Sequence, residues 1–124
     1  MQMQKKVLLI GLHPSVVDYS SFPGLDDTKL WAGLNTEESR LQELGYDAKW
    51  CLTDLGETAE SVVLESLRQK EYDCILIGAG VRTIAQHFLL FEKLINVVHE
   101  HAPRAKLCFN TRPNDTVDAV RRWV

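Results

Sequence analysis

The chain has 124 residues, 45% of them hydrophobic, with 14 Lys and Arg against 17 Asp and Glu. At about 150 residues per domain, that length predicts one domain spanning 1–124, able to fold without disulfides or a structural metal. The formal net charge of −3 excludes the basic face of a general nucleic-acid or anionic-membrane binder. No apolar run approaches the about 20 residues of a membrane-spanning helix.

The first apolar run, Val7–Gly11, follows Lys5-Lys6 and stops at His13-Pro14, where a secretory signal would have to continue. It reads as a first strand of a cytoplasmic protein. Three further runs, Ala48–Leu52, Asp73–Gly78 and Lys106–Asn110, are separated by segments of helical period. That alternation predicts βα units around a parallel sheet. VLLIG and CILIG are continuously apolar, as strands covered on both faces are, whereas Lys49 marks the second run as an edge. Right-handed crossovers then favour the order 2-1-3-4. The expected fold is α/β, a short doubly wound parallel sheet in a flavodoxin-like or Rossmann-like three-layer sandwich.

Between the strands, the first helix should start after Asp26 or Asp27 as N-cap and carry Leu30, Leu34, Leu41 and Leu44 on or near one face. It ends at Gly45, which suits a left-handed C′ residue. Gly33 weakens it enough for a break near Asn35. The second helix begins near Thr58 with the stripe Ala59, Val62, Val63, Leu67. From about Ile84 to His101 the third helix shows two stripes: Ile84, Phe88, Phe91, Ile95, Val98 and, about 110° around, Leu90, Leu94, Val97. One stripe suffices to cover a sheet. The second, with the apolar last strand Leu107-Cys108-Phe109, predicts a homodimer through Leu90, Leu94 and Val97. A short last helix, capped by Asn114 or Asp115, carries Val117, Val120 and Trp123 or Val124.

Cys51, Cys74 and Cys108 lie in apolar runs without a CxxC pair, so they read as reduced core thiols and no metal site is expected. Chemistry in an open α/β sheet belongs beyond the strand carboxyl ends, where the winding reverses. The loop after the first strand runs to Asp26 and reads as a lid. The expected ligand contacts are Gly78, Gly80, Arg82, Thr83, Asn110 and Arg112. Gly78 and Gly80 permit a tight turn, but Thr83 stands where a dinucleotide fingerprint needs its third glycine, so the cofactor stays unknown. Arg82 at a helix start is disfavoured unless it meets an anion, the alternatives being solvation or pairing with Asp54. Arg112 faces the same alternatives.

His13, placed directly after the first strand, and Asp54 are the candidate catalytic groups, as acid, base or polar partners. Ser15 lacks a G-x-S-x-G context, and His99 and His101 point to different sides of their helix. No triad or metal box is present, and whether the protein is an enzyme stays open.

Receiver domains need acids after strands one and three. Here those positions read Gly11-Leu12-His13 and Gly78-Ala79-Gly80, so phosphoreceiver chemistry is excluded. His13-Pro14-Ser15-Val16-Val17 does not match a flavodoxin phosphate loop, and of the cobalamin D-x-H-x-x-G loop only a histidine is shared. The blocks LGYDA (Leu44–Ala48), YDCILIGAGVR (Tyr72–Arg82), FLLFEKLINVVH (Phe88–His99) and CFNTRPNDT (Cys108–Thr116) give the chain its closest resemblance. It resembles a family of small uncharacterised bacterial single-domain proteins of the Rossmann-like class. The resemblance implies the fold and a bacterial cytoplasmic origin, and it carries over no functional residue. Two functions remain in view: binding of a small phosphorylated or carboxylated metabolite at the strand carboxyl ends, or a non-catalytic receiver-like interaction module.

Overall fold

In a computed structural model that describes residues 4–124, four parallel strands form one sheet in the order β2-β1-β3-β4. The strands are β1 (Lys6–Leu12), β2 (Asp47–Thr53), β3 (Cys74–Ile77) and β4 (Lys106–Phe109). Five helices connect or follow them: α1 (Asp27–Glu43), α2 (Ala59–Gln69), α3 (Ala79–Arg82), α4 (Phe88–His101) and α5 (Thr116–Arg121). The register pairs Leu9 with both Trp50 and Leu76, and Leu76 with Cys108. This is the doubly wound α/β arrangement that the strand pattern predicts.

Successive side chains of β1 and β3 enter opposite layers because a strand alternates its faces. Leu8, Ile10, Ile75 and Ile77 pack with Val63 and Leu67 of α2 and Leu90, Leu94, Val97 and Val98 of α4. Val7, Leu9, Cys74 and Leu76 pack on the other side with Leu41 of α1 and Val117, Ala119 and Val120 of α5. Continuous apolar strands are thus buried on both faces. Among the described residues no helix is long and apolar enough to cross a membrane.

The ends of α1 follow local chemistry. Asp26 caps it, accepting from the Lys29 amide at 2.8 Å. Gly45 closes it with φ +96°, a left-handed turn that lets the Tyr46 amide return to the Leu41 carbonyl. The helix runs unbroken through Gly33, against the expected break near Asn35. A methyl group at Gly33 would lie 3.5 Å from Pro113, so the glycine gives α1 close access to the segment before α5.

Side chains of α1 also cover the β2 edge. Glu38 accepts the Trp50 amide at 2.9 Å, and Gln42 donates to the Ala48 carbonyl at 3.0 Å. An edge strand whose free groups are occupied offers no template to another chain. At the other edge, β4 is only four residues long, with Lys106 exposed and Arg122 donating to the Phe109 carbonyl at 3.0 Å.

The segment after β3 differs from expectation. In place of one helix from Ile84, a four-residue turn of α-helix at Ala79–Arg82 leads through a 3-10 turn at Ala85–His87 into α4. Both stripes of α4 meet the core of the subunit, since Val98 is buried with Leu90, Leu94 and Val97 and Phe91 and Ile95 pack beside them. Leu90, Leu94 and Val97 are buried within the subunit, while Phe88 and Leu89 are 60% and 73% exposed. A homodimer through Leu90, Leu94 and Val97 is therefore corrected: α2 and the sheet already occupy that face.

Candidate functional site

The carboxyl edge of the sheet carries every expected site residue, but in two groups at opposite ends. His13 stands toward β2, its amide donating to the Thr53 carbonyl at 2.8 Å. Arg82 and Arg112 stand toward β4, on either side of Asn110. At the junction of β1 and β3, where the winding reverses, the Gly78 amide donates to the Ile10 carbonyl at 2.8 Å. An added Cβ at Gly78 would lie 3.2 Å from the Ile10 carbonyl oxygen, and Leu12, Pro14 and Val81 are buried beside this turn.

Asp54 is engaged locally. Its carboxylate accepts from the Thr58 hydroxyl at 2.7 Å and from the amides of Gly56 and Thr58 at 3.0 Å. The Thr58 hydroxyl, followed by the Gly56 amide, holds its carboxyl below the ordinary range. Such an engaged carboxylate holds the turn that leads into α2 and is a poor base.

His13 is fixed by its neighbours. Nδ1 accepts the Ser15 amide at 3.1 Å and lies 2.8 Å from Ser15 Oγ, and the ring meets Trp31 edge-on with centroids 5.2 Å apart. With Nδ1 accepting from an amide, the proton of the neutral ring resides on Nε2. His13 can thus offer an N–H donor at the rim. Trp31 escaped sequence reasoning because its contact with His13 crosses from loop to helix.

The long segment after β1 is anchored. Pro14 is buried, Val16 and Val17 pack on the core, and Tyr19 donates to the Pro14 carbonyl at 2.7 Å. Two 3-10 turns, Pro14–Val16 and Tyr19–Ser21, give it regular hydrogen bonding in place of the open loop expected.

Asn110, only 3% exposed, joins three elements at the β4 end. Its Oδ1 accepts the Ala79 amide at 2.8 Å, and its Nδ2 donates to Thr116 Oγ1 at 2.9 Å. Both ends of the amide are used internally. Thr83 is exposed, and its hydroxyl donates locally to the Ala79 carbonyl at 2.7 Å. The backbone of Gly78 and Gly80 serves the turn: Gly78 donates to Ile10 and accepts from Val81, and the Gly80 carbonyl lies 3.2 Å from His87 Nδ1. Because α4 starts only at Phe88, its N-terminal dipole is not at Arg82 either.

Arg82 remains. Its Nη2 donates to the Asn110 carbonyl, and its Cζ lies 5.4 Å from the Phe109 ring centroid. Its Nε is buried and has no hydrogen-bond partner among the described residues. No carboxylate among the described residues lies within 4.0 Å of it, so the pairing with Asp54 does not form. Arg112 is exposed and close enough to Asp115 for its charge to be felt there. Burial pushes the Asp115 carboxyl up, but hydrogen bonds from the Thr111 hydroxyl and the Arg112 and Thr111 amides outweigh it and hold the carboxyl low. Among the described residues no three His, Cys, Asp or Glu side chains cluster as metal ligands.

Fold and site together define a small doubly wound α/β protein with an uncompensated arginine at the carboxyl end of its sheet. No protein-family model and no curated protein matches the chain.

Proposed function

We propose that the protein binds a small anionic metabolite, phosphorylated or carboxylated, at the carboxyl ends of β3 and β4. One observation carries this reading: the Arg82 guanidinium is half-buried with an unpartnered Nε and no carboxylate beside it. Removing part of such a cation from water costs free energy that the Asn110 carbonyl and the Phe109 face offset only in part. An anion completes the arrangement. Arg112 supplies a second cation at the rim, and Asn110, Thr83, Gly78 and Gly80 hold the turn from which Arg82 projects. His13 belongs to the far end of the edge as a polar group, and no reaction is assigned to it or to Asp54. Three buried free thiols accord with the bacterial cytoplasmic setting that the resemblance implies.

Isothermal titration with inorganic phosphate and with a dicarboxylate tests the site. Arg82→Gln should weaken binding by about 1.5–3 kcal/mol, the range for a hydrogen bond to a charged group. Binding that survives this change intact overturns the proposal.

The alternative, a non-catalytic interaction module, is favoured by a different observation. Phe88 and Leu89 are exposed at the start of α4, continuous with half-buried Phe91 and Ile95 and with Phe109 of β4. In this reading a second copy of the chain covers that face.

A further inference from the structure

A separate cleft opens at the amino ends of the strands. It measures about 610 Å³ and is walled by Lys5 and Lys6 entering β1, Lys70 and Tyr72 between α2 and β3, and His101 and Arg104 between α4 and β4. That volume falls within the about 300–1,000 Å³ of small-molecule sites. Four fixed cations, Lys5, Lys6, Lys70 and Arg104, face two carboxylates, Glu71 and Asp73, although the whole chain is acidic.

Basic residues often gather where helices end, because they offset the negative end of the helix dipole. That explanation covers Lys70 and Arg104, which follow the ends of α2 and α4, but not Lys5 and Lys6. Lys5 and Lys6 belong to a strand entry, with no helix of their own to offset. Lys70 directs its ammonium to Asp47 at 2.9 Å. Among the described residues Lys5, Lys6 and Arg104 have no carboxylate within 4.0 Å. Asp73 accepts the Lys6 amide at 2.8 Å and so pins the start of β1, keeping its negative charge on the cleft wall.

The cleft also has a fixed apolar side. Tyr72 is half-buried, and its hydroxyl donates to the Ser66 carbonyl at 3.2 Å, which holds the ring in place. Pro103 and Ala102 continue this wall. Separate cations opposite a rigid apolar surface suit a multiply charged head on an organic body.

We infer that this cleft binds a small phosphate ester, its phosphate held by Lys5, Lys6 and Arg104 and its body against Tyr72 and Pro103. The site shares no residue with the carboxyl-edge site and stands independently of it.

The test is an amide chemical-shift titration of the full chain with phenyl phosphate, and separately with inorganic phosphate and sulfate. Saturable shifts should cluster at residues 5–6, 70–73 and 101–105, with phenyl phosphate bound more tightly than either inorganic anion. Lys5 and Arg104 are exposed, so the double variant Lys5→Gln, Arg104→Gln keeps its fold. It should bind phenyl phosphate about tenfold more weakly. Arg82→Gln should leave these shifts unchanged, which separates the two sites. Wild-type binding by the double variant, equal affinity for sulfate (an adventitious ion only), or shifts confined to residues 78–83 and 109–112 would each overturn the inference.

Discussion

At the scale of single residues, several polar groups that face the carboxyl edge in sequence turn out to hold the fold. Asn110 is the clearest case. Removing its amide in Asn110→Ala orphans the Ala79 amide, at roughly 1–3 kcal/mol, and takes the donor from Thr116 Oγ1, which still donates to the Pro113 carbonyl. Urea unfolding should show that loss, and a variant as stable as the wild type would mean the amide is not a structural joint. Asp54 makes a statement about acid. Its folded carboxyl lies below the ordinary 3.8 through the Thr58 hydroxyl and Gly56 amide, so the stability it contributes is present above that pH. That contribution disappears as pH falls through the lowered folded value. Asp54→Asn should therefore flatten the acid limb of the stability profile, and an unchanged limb would place the acid sensitivity elsewhere. Glu37, buried at 2% exposure, accepts from Arg40 Nη1 at 2.7 Å and from the Val117 amide at 3.4 Å, tying α1 to α5. No local pattern marks it, because its second partner is eighty residues away.

At the scale of elements, α4 shows where periodicity stops informing. Spacing gives the angle between its two stripes but not which one meets the sheet. Packing against α2 and the sheet decides that: it takes Leu90, Leu94, Val97 and Val98 into the core with Phe91 and Ile95 beside them, and leaves Phe88 outside. Leu94→Ala, at a fully buried position, should cost about 2–5 kcal/mol. Leu89→Ser should change stability by no more than about 0.5 kcal/mol. Thermal melts of the two variants compare the buried stripe with the exposed start of the helix, and the reverse ranking would return Leu94 to the surface. The helix starts were easier to read. Asp26 and Gly45 act within a few residues of themselves, so their chemistry is visible without the fold. The segment 79–87 was not, because Asn110 from a distant strand end captures the Ala79 amide and winds the chain early.

At the scale of the whole molecule, the most exposed large apolar side chains among the described residues are Phe88 and Leu89 at the start of α4. If a second copy covers them, sedimentation equilibrium at high micromolar loading should report about 28 kDa, twice the 14.1 kDa chain. Leu89→Glu should restore the single-chain mass without lowering the melting temperature. A single-chain mass for the wild type rejects self-association and leaves the metabolite reading untouched.

The architecture was legible because it follows from short-range regularities: branched apolar runs, helical periods and the handedness of crossovers impose β2-β1-β3-β4. The position of the candidate site beyond the strand carboxyl ends was legible for the same reason. Which of its residues are free was not. Asp54 and Asn110 carry hydrogen-bonding groups that look available until the fold brings their partners, Thr58 across a turn and Ala79 across the sheet. Arg82 looks like any solvent-facing arginine until packing buries its Nε without a partner. The amino-end cleft exists only as a tertiary object, since Lys5, Tyr72 and Arg104 come from three separate strand entries. Local sequence sets what each segment can become, but burial and pairing are properties of residues far apart in the chain, and only the assembled layers determine them.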